Sequence, residues 1–403
     1  MKQHSPRLPL VGIKIISVEQ YGAAPFGSMF LADLGAEVIK IENPGARGEM
    51  GRHVVPYSKK NDSLFFQTFS ANKRSMCLNL KTEKGKSVFQ KLSLNADAIL
   101  NNLRGDLPTK LGLDYDSIKN INPKIVCVHL SAYGRNNSRE FWPGLDYVMQ
   151  AEAGYLSLTG EPDSTPTRFG LSVVDYQAGL TAAIALLSGI LGARNTGKGQ
   201  DYDTALFDVA MSNLSYPAVW NLTKGYKPTR MPRSGHPSLV PSELYKTKDG
   251  WIFIMANKSS FWPKLVSAIG KPEWSNDPRI HDFKSRLKNR SLVISLLSEV
   301  FAKKTTEFWL DKLTGILPCA PVNDVDSALS SNFSKERNIV QEINHPDWTN
   351  LKVVRQPILV DEKVLPRRPA PKLGADTKDI LIENNFSEEE IQELSNSGDI
   401  LIE

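Results

Sequence analysis

Among the residues of this sequence that could do chemistry, Asp175 has the most suggestive setting. It follows a short apolar-leaning run (169–174, FGLSVV) and precedes an almost unbroken run of small and aliphatic residues over 178–193. A run that long, with no wide polar face, predicts a helix buried nearly all round. Gly179, Gly189 and Gly192 lower its helix propensity, which predicts close packing of other backbone against them. A carboxylate where such a helix begins stands among backbone N–H groups without intrahelical partners, at the positive end of a dipole. Two roles fit. Asp is among the strongest N-capping residues. A carboxylate so placed is also a nucleophile towards an activated acyl group, with neighbouring N–H groups ready to hold the oxyanion. The position alone leaves both open.

Other chemistries find less support. Cys77, Cys127 and Cys319 lie far apart and make no C-x-x-C, which argues against a disulfide scaffold or a structural zinc site and suits a reducing, cytoplasmic setting. Six scattered histidines include no H-E-x-x-H, so no metal site is predicted. A net charge of +5 describes a soluble surface more than a polyanion binder, and no Lys/Arg block suggests nucleic acid. The first predicted strand leads into EQYGAAPFG, not G-x-G-x-x-G, and no Walker A sequence occurs, so a nicotinamide or P-loop reading lacks its phosphate cradle.

The elements that must position Asp175 follow from hydrophobic periodicity. At 403 residues two domains are expected, and 41% hydrophobic with 23% charged residues is ordinary for a globular enzyme. The opening MKQHSPRLPLVG holds no apolar stretch of leader length, and the 178–193 run is too short and too rich in small residues to predict a membrane span. Strands are predicted over 12–19, 37–42, 76–80, 96–103 and 124–130. A turn is predicted over 21–27, with helices over 28–34, 83–94 and 107–120. This alternation predicts an α/β fold with a mostly parallel sheet, whose ligands sit at the carboxyl ends of the strands. Those ends carry Tyr21–Gly22, Glu42, Asn102–Arg104 and Ser131–Gly134. Further on, two strands flank the turn Lys248-Asp249-Gly250, with helices over 261–269, 290–301 and 306–313, giving a smaller α+β domain. Ser387 and Glu390 form a capping box that opens a last helix through Leu394. The division is 1–225 for a large domain, 226–331 for the small one, and 332–403 for a return linker and tail completing the large domain.

Several stretches together resemble the class III CoA-transferases, the family of formyl-CoA and carnitine CoA-transferases. They are GAEVIKIENPGARG (35–48), NKRSMCLNLKTEKGK (72–86), NLRGDLPTKLGL (102–113), TGKGQDYDTALFD (196–208), the Asp-Gly turn before WIFIMA (251–256), CAPVNDV (319–325) and the LGADT…SEEEIQEL tail. The family's nucleophile is an aspartate in G-x-x-x-x-D-x-x-x-G; Gly170, Asp175 and Gly179 match it. The resemblance implies a Rossmann-like large domain and an intertwined, ring-through-ring homodimer. It implies acyl-CoA and a small carboxylic acid as substrates, no tightly bound cofactor, and no nucleic-acid or membrane partner. By motif match, Leu78, Asn79 and Lys81 would contact the nucleotide end of CoA, with Asn102, Leu103, Arg104 and Lys110 along the same groove. Tyr21, Gly22 and Ala23 would back the pantetheine arm, and Asp146 would lie near the active aspartate. Asn43 stands where some relatives place an arginine. The family's glycine-rich loop is replaced by RSGHPSLVP (233–241), which includes His236. With a reference pKa of about 3.9, Asp175 would be ionised at neutral pH and need no general base.

Three rivals remain. An α-methylacyl-CoA racemase shares the fold but uses a histidine within G-H-D, where this chain has Gly144-Leu145-Asp146, and leucine moves no proton. A non-catalytic CoA-binding protein would not need the intact aspartate segment. A Rossmann oxidoreductase would need the missing glycine fingerprint. Arg168, Arg230 and Arg233 are the cations that could hold the second carboxylate of a dicarboxylate substrate.

Overall fold

A computed structural model describes residues 8–402. The first seven residues of the stretch inspected for an apolar leader lie outside the described residues. The chain folds as two compact units, a larger one of Met1–Ala153, Gly170–Tyr216 and Glu336–Glu403, and a smaller one of Gly154–Phe169 and Pro217–Lys335.

The larger unit is built on six parallel strands: β1 (Lys14–Val18), β2 (Glu37–Glu42), β3 (Arg74–Cys77), β4 (Ala98–Asn101), β5 (Val126–Ser131) and β6 (Asp201–Ala205), in the order β3-β2-β1-β4-β5-β6. β4 and β5 are buried at every position, as strands covered on both faces must be. The order reverses between β1 and β4, and a crevice opens beyond the carboxyl ends of strands at such a switch point. β6 lies within the TGKGQDYDTALFD stretch; its polar alternation, DYDTA, hid it from a hydrophobicity reading.

Helix α1 spans Ala23–Asp33, so the predicted turn over 21–27 is shorter and the helix longer than the sequence suggested. Pro25 sits in the first turn, where its missing N–H would have had no partner anyway. The helix predicted over 107–120 is two short ones, Leu107–Lys110 and Tyr115–Ile118, separated by Gly112 at φ +71°. Helix α2 (Glu83–Ser93) forms as expected, capped by Thr82. Helix α3 spans Asp146–Glu152.

Helix α4 spans Val173–Thr196 and is the one described helix long and apolar enough to cross a membrane. It is not buried all round. One side, including Val174, Ala178, Ala182, Leu186 and Ile190, is covered, whereas Ile184 and Leu191 are 66% and 62% exposed. Gly179 meets backbone: a Cβ there would stand 2.2 Å from Ala23 O, and one on Gly27 would stand 2.0 Å from Gly179 O. The other two glycines differ from expectation, since Gly189 faces the side chains of Val126 and Tyr202 and Gly192 faces open space. The N-terminal turns of α1 and α4 are thus pressed together backbone to backbone.

The tail returns to β3. The Ser75 N–H donates to Asp376, the Cys77 N–H to Thr377 Oγ1 and the Asn79 N–H to Asp399 O, while Ile380, Leu381, Ile391, Leu394 and Ile400 join the core under β2 and β3. Its last helix, Glu388–Asn396, opens on the Ser387–Glu390 capping box.

The smaller unit carries an antiparallel sheet of β7 (Ser242–Lys246), β8 (Trp251–Met255) and β9 (Cys319–Pro321), with β8 central. Trp262, Tyr245, Phe301 and Trp309 fill its core.

Candidate active site

Asp175 is the third residue of α4, within its first turn, and Ser172 is the N-cap. The cap therefore is not Asp175. Nor are the first N–H groups of α4 free to hold an oxyanion. Asp146, at the start of α3, accepts the N–H groups of Val174 and Asp175 at Oδ2, at 2.7 and 3.0 Å, and Gln150 Nε2 at Oδ1, at 2.6 Å. A carboxylate from 29 residues upstream satisfies the helix end, itself only 3% exposed.

Asp175 is 9% exposed. Burial, and secondarily the charge of Asp146, push its pKa up to about 7, so the expectation of full ionisation at neutral pH does not hold. The resulting carboxylate is poorly solvated and basic for its type, and it faces the β1–α1 turn: a Cβ on Gly22 would lie 3.1 Å from Asp175 Oδ2. A Cβ on Gly170, by contrast, would meet nothing within 4 Å.

A crevice at the carboxyl ends of the strands gathers Tyr21, Gly22, Asn102, Leu103, Arg104 and Asp175, roofed by Trp142 and Leu145. A second recess, sharing Gln20, Met50 and Leu103 with it, brings in Leu78, Lys81 and Asn43. Asn79, Lys110 and Asp146 line neither. The Asn79 N–H donates to Asp399 O in the tail, and its side-chain Oδ1 accepts the N–H of Lys81, two residues on. Lys110 and Arg104 both pair with Asp106, at 2.7 and 2.6 Å, and these contacts, Arg104 first, hold the Asp106 carboxyl well below the usual carboxylate range. The Arg104 side chain is 43% exposed and that of Lys110 63%. Asn43 accepts the Gly45 N–H with its own side chain. Asn102 spends its amide on the backbone of Gln20.

Beneath the turn lies a buried charge network that the sequence reading missed. Glu19 pairs with Lys73 at 2.6 Å and Lys40 at 3.8 Å, Lys40 with Glu49 at 3.3 Å, and Glu42 with Arg52 at 2.6 Å. Burial, only partly offset by Glu19, brings Lys73 down to about 8. The signal was available: Lys40 and Glu42 interrupt a strand predicted to be covered on both faces, and charges survive there only when paired.

In the smaller unit, Arg230 donates to the carbonyls of Ser164, Glu161 and Leu156, and Arg233 to Ser298 Oγ, so neither guanidinium is paired with a carboxylate by these bonds. Arg168 donates to Phe169 O. His236 Nδ1 accepts the Ser238 N–H, and burial, then the charge of Arg290, lower its pKa.

Comparison with known proteins identifies the family to which this parallel-sheet fold, with a buried carboxylate at its crevice, belongs. The chain belongs to CoA-transferase family III, whose description matches residues 10–377, and it is a class III CoA-transferase. It is 29% identical over 382 residues to a succinate–glutarate CoA-transferase of Agrobacterium fabrum, covering 93% of this chain and 95% of that one. It is 31% identical to the succinyl-CoA:glutarate CoA-transferase of Mus musculus, over 97% and 90% of the two chains. Among solved structures, a CAIB/BAIF family protein from Brucella suis superposes with a TM-score of 0.80 at 29% identity, covering 94% of this chain and all of that one.

Proposed function

We propose that the enzyme moves CoA from an acyl-CoA to a free dicarboxylic acid through covalent intermediates on Asp175. The observation that carries this reading is the Asp175 carboxylate itself, nearly buried, with burial and the charge of Asp146 the influences that raise its pKa. In the first step its oxygen attacks the thioester carbonyl; a C–O bond forms, the C–S bond breaks, and CoA thiolate leaves a mixed anhydride. The thiolate attacks the aspartyl carbonyl, giving an aspartyl-CoA thioester and releasing the first acid as its carboxylate. An incoming carboxylate attacks that thioester and the sequence runs backwards, ending in the new acyl-CoA and free Asp175. No proton is gained or lost over the cycle. A desolvated carboxylate attacks better than a hydrated one, because water need not be stripped from it on the way to the transition state.

Leu78 and Lys81 in the second recess, and Arg104 and Lys110 at the rim, are proposed to take the nucleotide and phosphates of CoA, with the pantetheine arm passing Tyr21 and Gly22. The names of the relatives, for succinate and glutarate, support a dicarboxylate acceptor. The exposed apolar row of Leu180, Ile184 and Leu191 on α4 supports the intertwined homodimer. Buried Cys77 and Cys127, neither in a disulfide, accord with a cytoplasmic enzyme.

The test is intact-protein mass spectrometry after incubation with a panel of acyl-CoAs, with and without hydroxylamine. A CoA adduct on Asp175, cleared by hydroxylamine and absent from Asp175→Ala, supports the mechanism. Exchange of an α-proton in deuterated water without any adduct points to racemase chemistry instead. A panel in which only monocarboxylates accept CoA overturns the dicarboxylate assignment.

A further inference from the structure

The wall that Asp175 faces is held in an unfavourable backbone conformation. Tyr21 has φ +66°, the left-handed region, which costs a residue bearing a side chain roughly 1–2 kcal/mol. Such a conformation persists only where the surroundings over-determine it, and here two distant side chains do so through backbone atoms alone. Asn102, just past β4, donates Nδ2 to Gln20 O at 2.7 Å and accepts the Gln20 N–H at Oδ1 at 2.8 Å, so both ends of its amide serve one residue. Glu49 accepts the Tyr21 N–H at Oε2 at 2.8 Å, and the same oxygen takes the Gly51 N–H at 2.9 Å. Its other oxygen faces Lys40 Nζ at 3.3 Å, and Lys40 in turn donates to Glu19 O at 2.9 Å. Residues 19, 20 and 21 are therefore each tied down, one after another, immediately before Gly22 meets Asp175.

We infer that Glu49 and Asn102 are positioning residues that hold the Gln20–Gly22 turn against the Asp175 carboxylate and so fix the gap in which the thioester carbonyl is attacked. The inference rests on Asp175 being the nucleophile. Neither side chain hydrogen-bonds Asp175; both act through the turn. Chemistry at a carbonyl tolerates little misplacement, and a shift of about 1 Å can cost on the order of 100-fold in rate. Asn102 would otherwise be a CoA contact in the groove, and the two roles separate kinetically. A lost substrate contact raises KM, whereas a loosened wall lowers kcat.

The experiment compares the full-length enzyme with Asn102→Ala, Asn102→Asp and Glu49→Gln, using succinyl-CoA and glutarate. It reads kcat, KM for succinyl-CoA, the thermal midpoint, and the rate of CoA adduct formation on Asp175 by quenched mass spectrometry. Asn102→Ala is expected to lower kcat and the adduct rate at least about tenfold with KM within about twofold. Asn102→Asp keeps the acceptor for the Gln20 N–H and loses less. Glu49→Gln keeps an acceptor for Tyr21 but loses the charge facing Lys40, and slows the same step at unchanged KM. A rise in KM at constant kcat for Asn102→Ala, or wild-type rates in all three, overturns the positioning role while leaving the nucleophile in place. Should Asn102→Ala not fold, Asn102→Asp and Glu49→Gln decide alone. Absence of any adduct on the wild-type enzyme overturns the nucleophile and this inference together.

Discussion

Replacing Asp175 by asparagine should stabilise the protein while abolishing its activity. Burial and the Asp146 charge raise the carboxyl from 3.8 to about 7, so ionising it costs more in the folded chain than in the unfolded one. Between those two values the folded state holds a proton that the unfolded state has lost, and stability falls as pH rises. Above pH 7 both states are ionised and the penalty levels off at about 4 kcal/mol, whereas at pH 5 it is about 1.5 kcal/mol. Asparagine has nearly the same shape and does not titrate. Asp175→Asn should therefore melt about 5 °C above the wild type at pH 8, with the gap narrowing to about 2 °C at pH 5. Thermal unfolding of both proteins from pH 5 to pH 9 in one buffer series measures this. A mutant melting at or below the wild type at pH 8, or a gap that does not change with pH, would refute the claim that the carboxylate is held in a costly environment.

Other outcomes follow from the same geometry. The rate of adduct formation on Asp175 should rise with pH through about 7 and then level, since only the carboxylate attacks; Asp146→Asn removes the neighbouring charge and should move that inflection to lower pH in a pH–rate profile. Gly22→Ala puts a methyl 3.1 Å from Asp175 Oδ2 and should slow the chemical step about tenfold, with the thermal midpoint little changed, because only a side-chain end must yield. Gly179→Ala puts its methyl 2.2 Å from Ala23 O, which is backbone on both sides, and should destabilise the fold by about 2–3 kcal/mol in a denaturant titration.

Periodicity made the sheet legible because strands covered on both faces, such as β5 (VCVHLS), read as short and mainly apolar runs. Asp175 stood out for a related reason, as a charge at the mouth of a long apolar run. Local chemistry likewise announced the Asp249-Gly250 hairpin and the Ser387–Glu390 box. What stayed hidden depends on partners far along the chain. That α4 is capped by Asp146, 29 residues away, reverses the expected use of its N–H groups, and no local pattern encodes it. The start of α1 at Ala23 was masked by Pro25 and Gly27, both of which read as turn residues until Gly179 is seen against the latter. The exposed side of α4 is invisible to composition, since apolar residues look the same whether covered or not. Asn102 shows the limit of motif reading: its place in the crevice was expected, yet its amide is committed to Gln20.

The return of the tail to β3 has a bearing on biosynthesis. The backbone partners of Ser75, Cys77 and Asn79 are supplied by Asp376, Thr377 and Asp399, and Ile380, Leu381 and Ile391 close the core beneath them. On a translating ribosome the smaller unit's main segment, Pro217–Lys335, is complete while those residues are still unmade. The sheet beneath the crevice must then wait with one side of β3 uncovered, and the unit that carries Asp175 is the last to be completed. A nascent chain stopped near residue 370 would carry every crevice residue and still present the apolar underside of its sheet to chaperones.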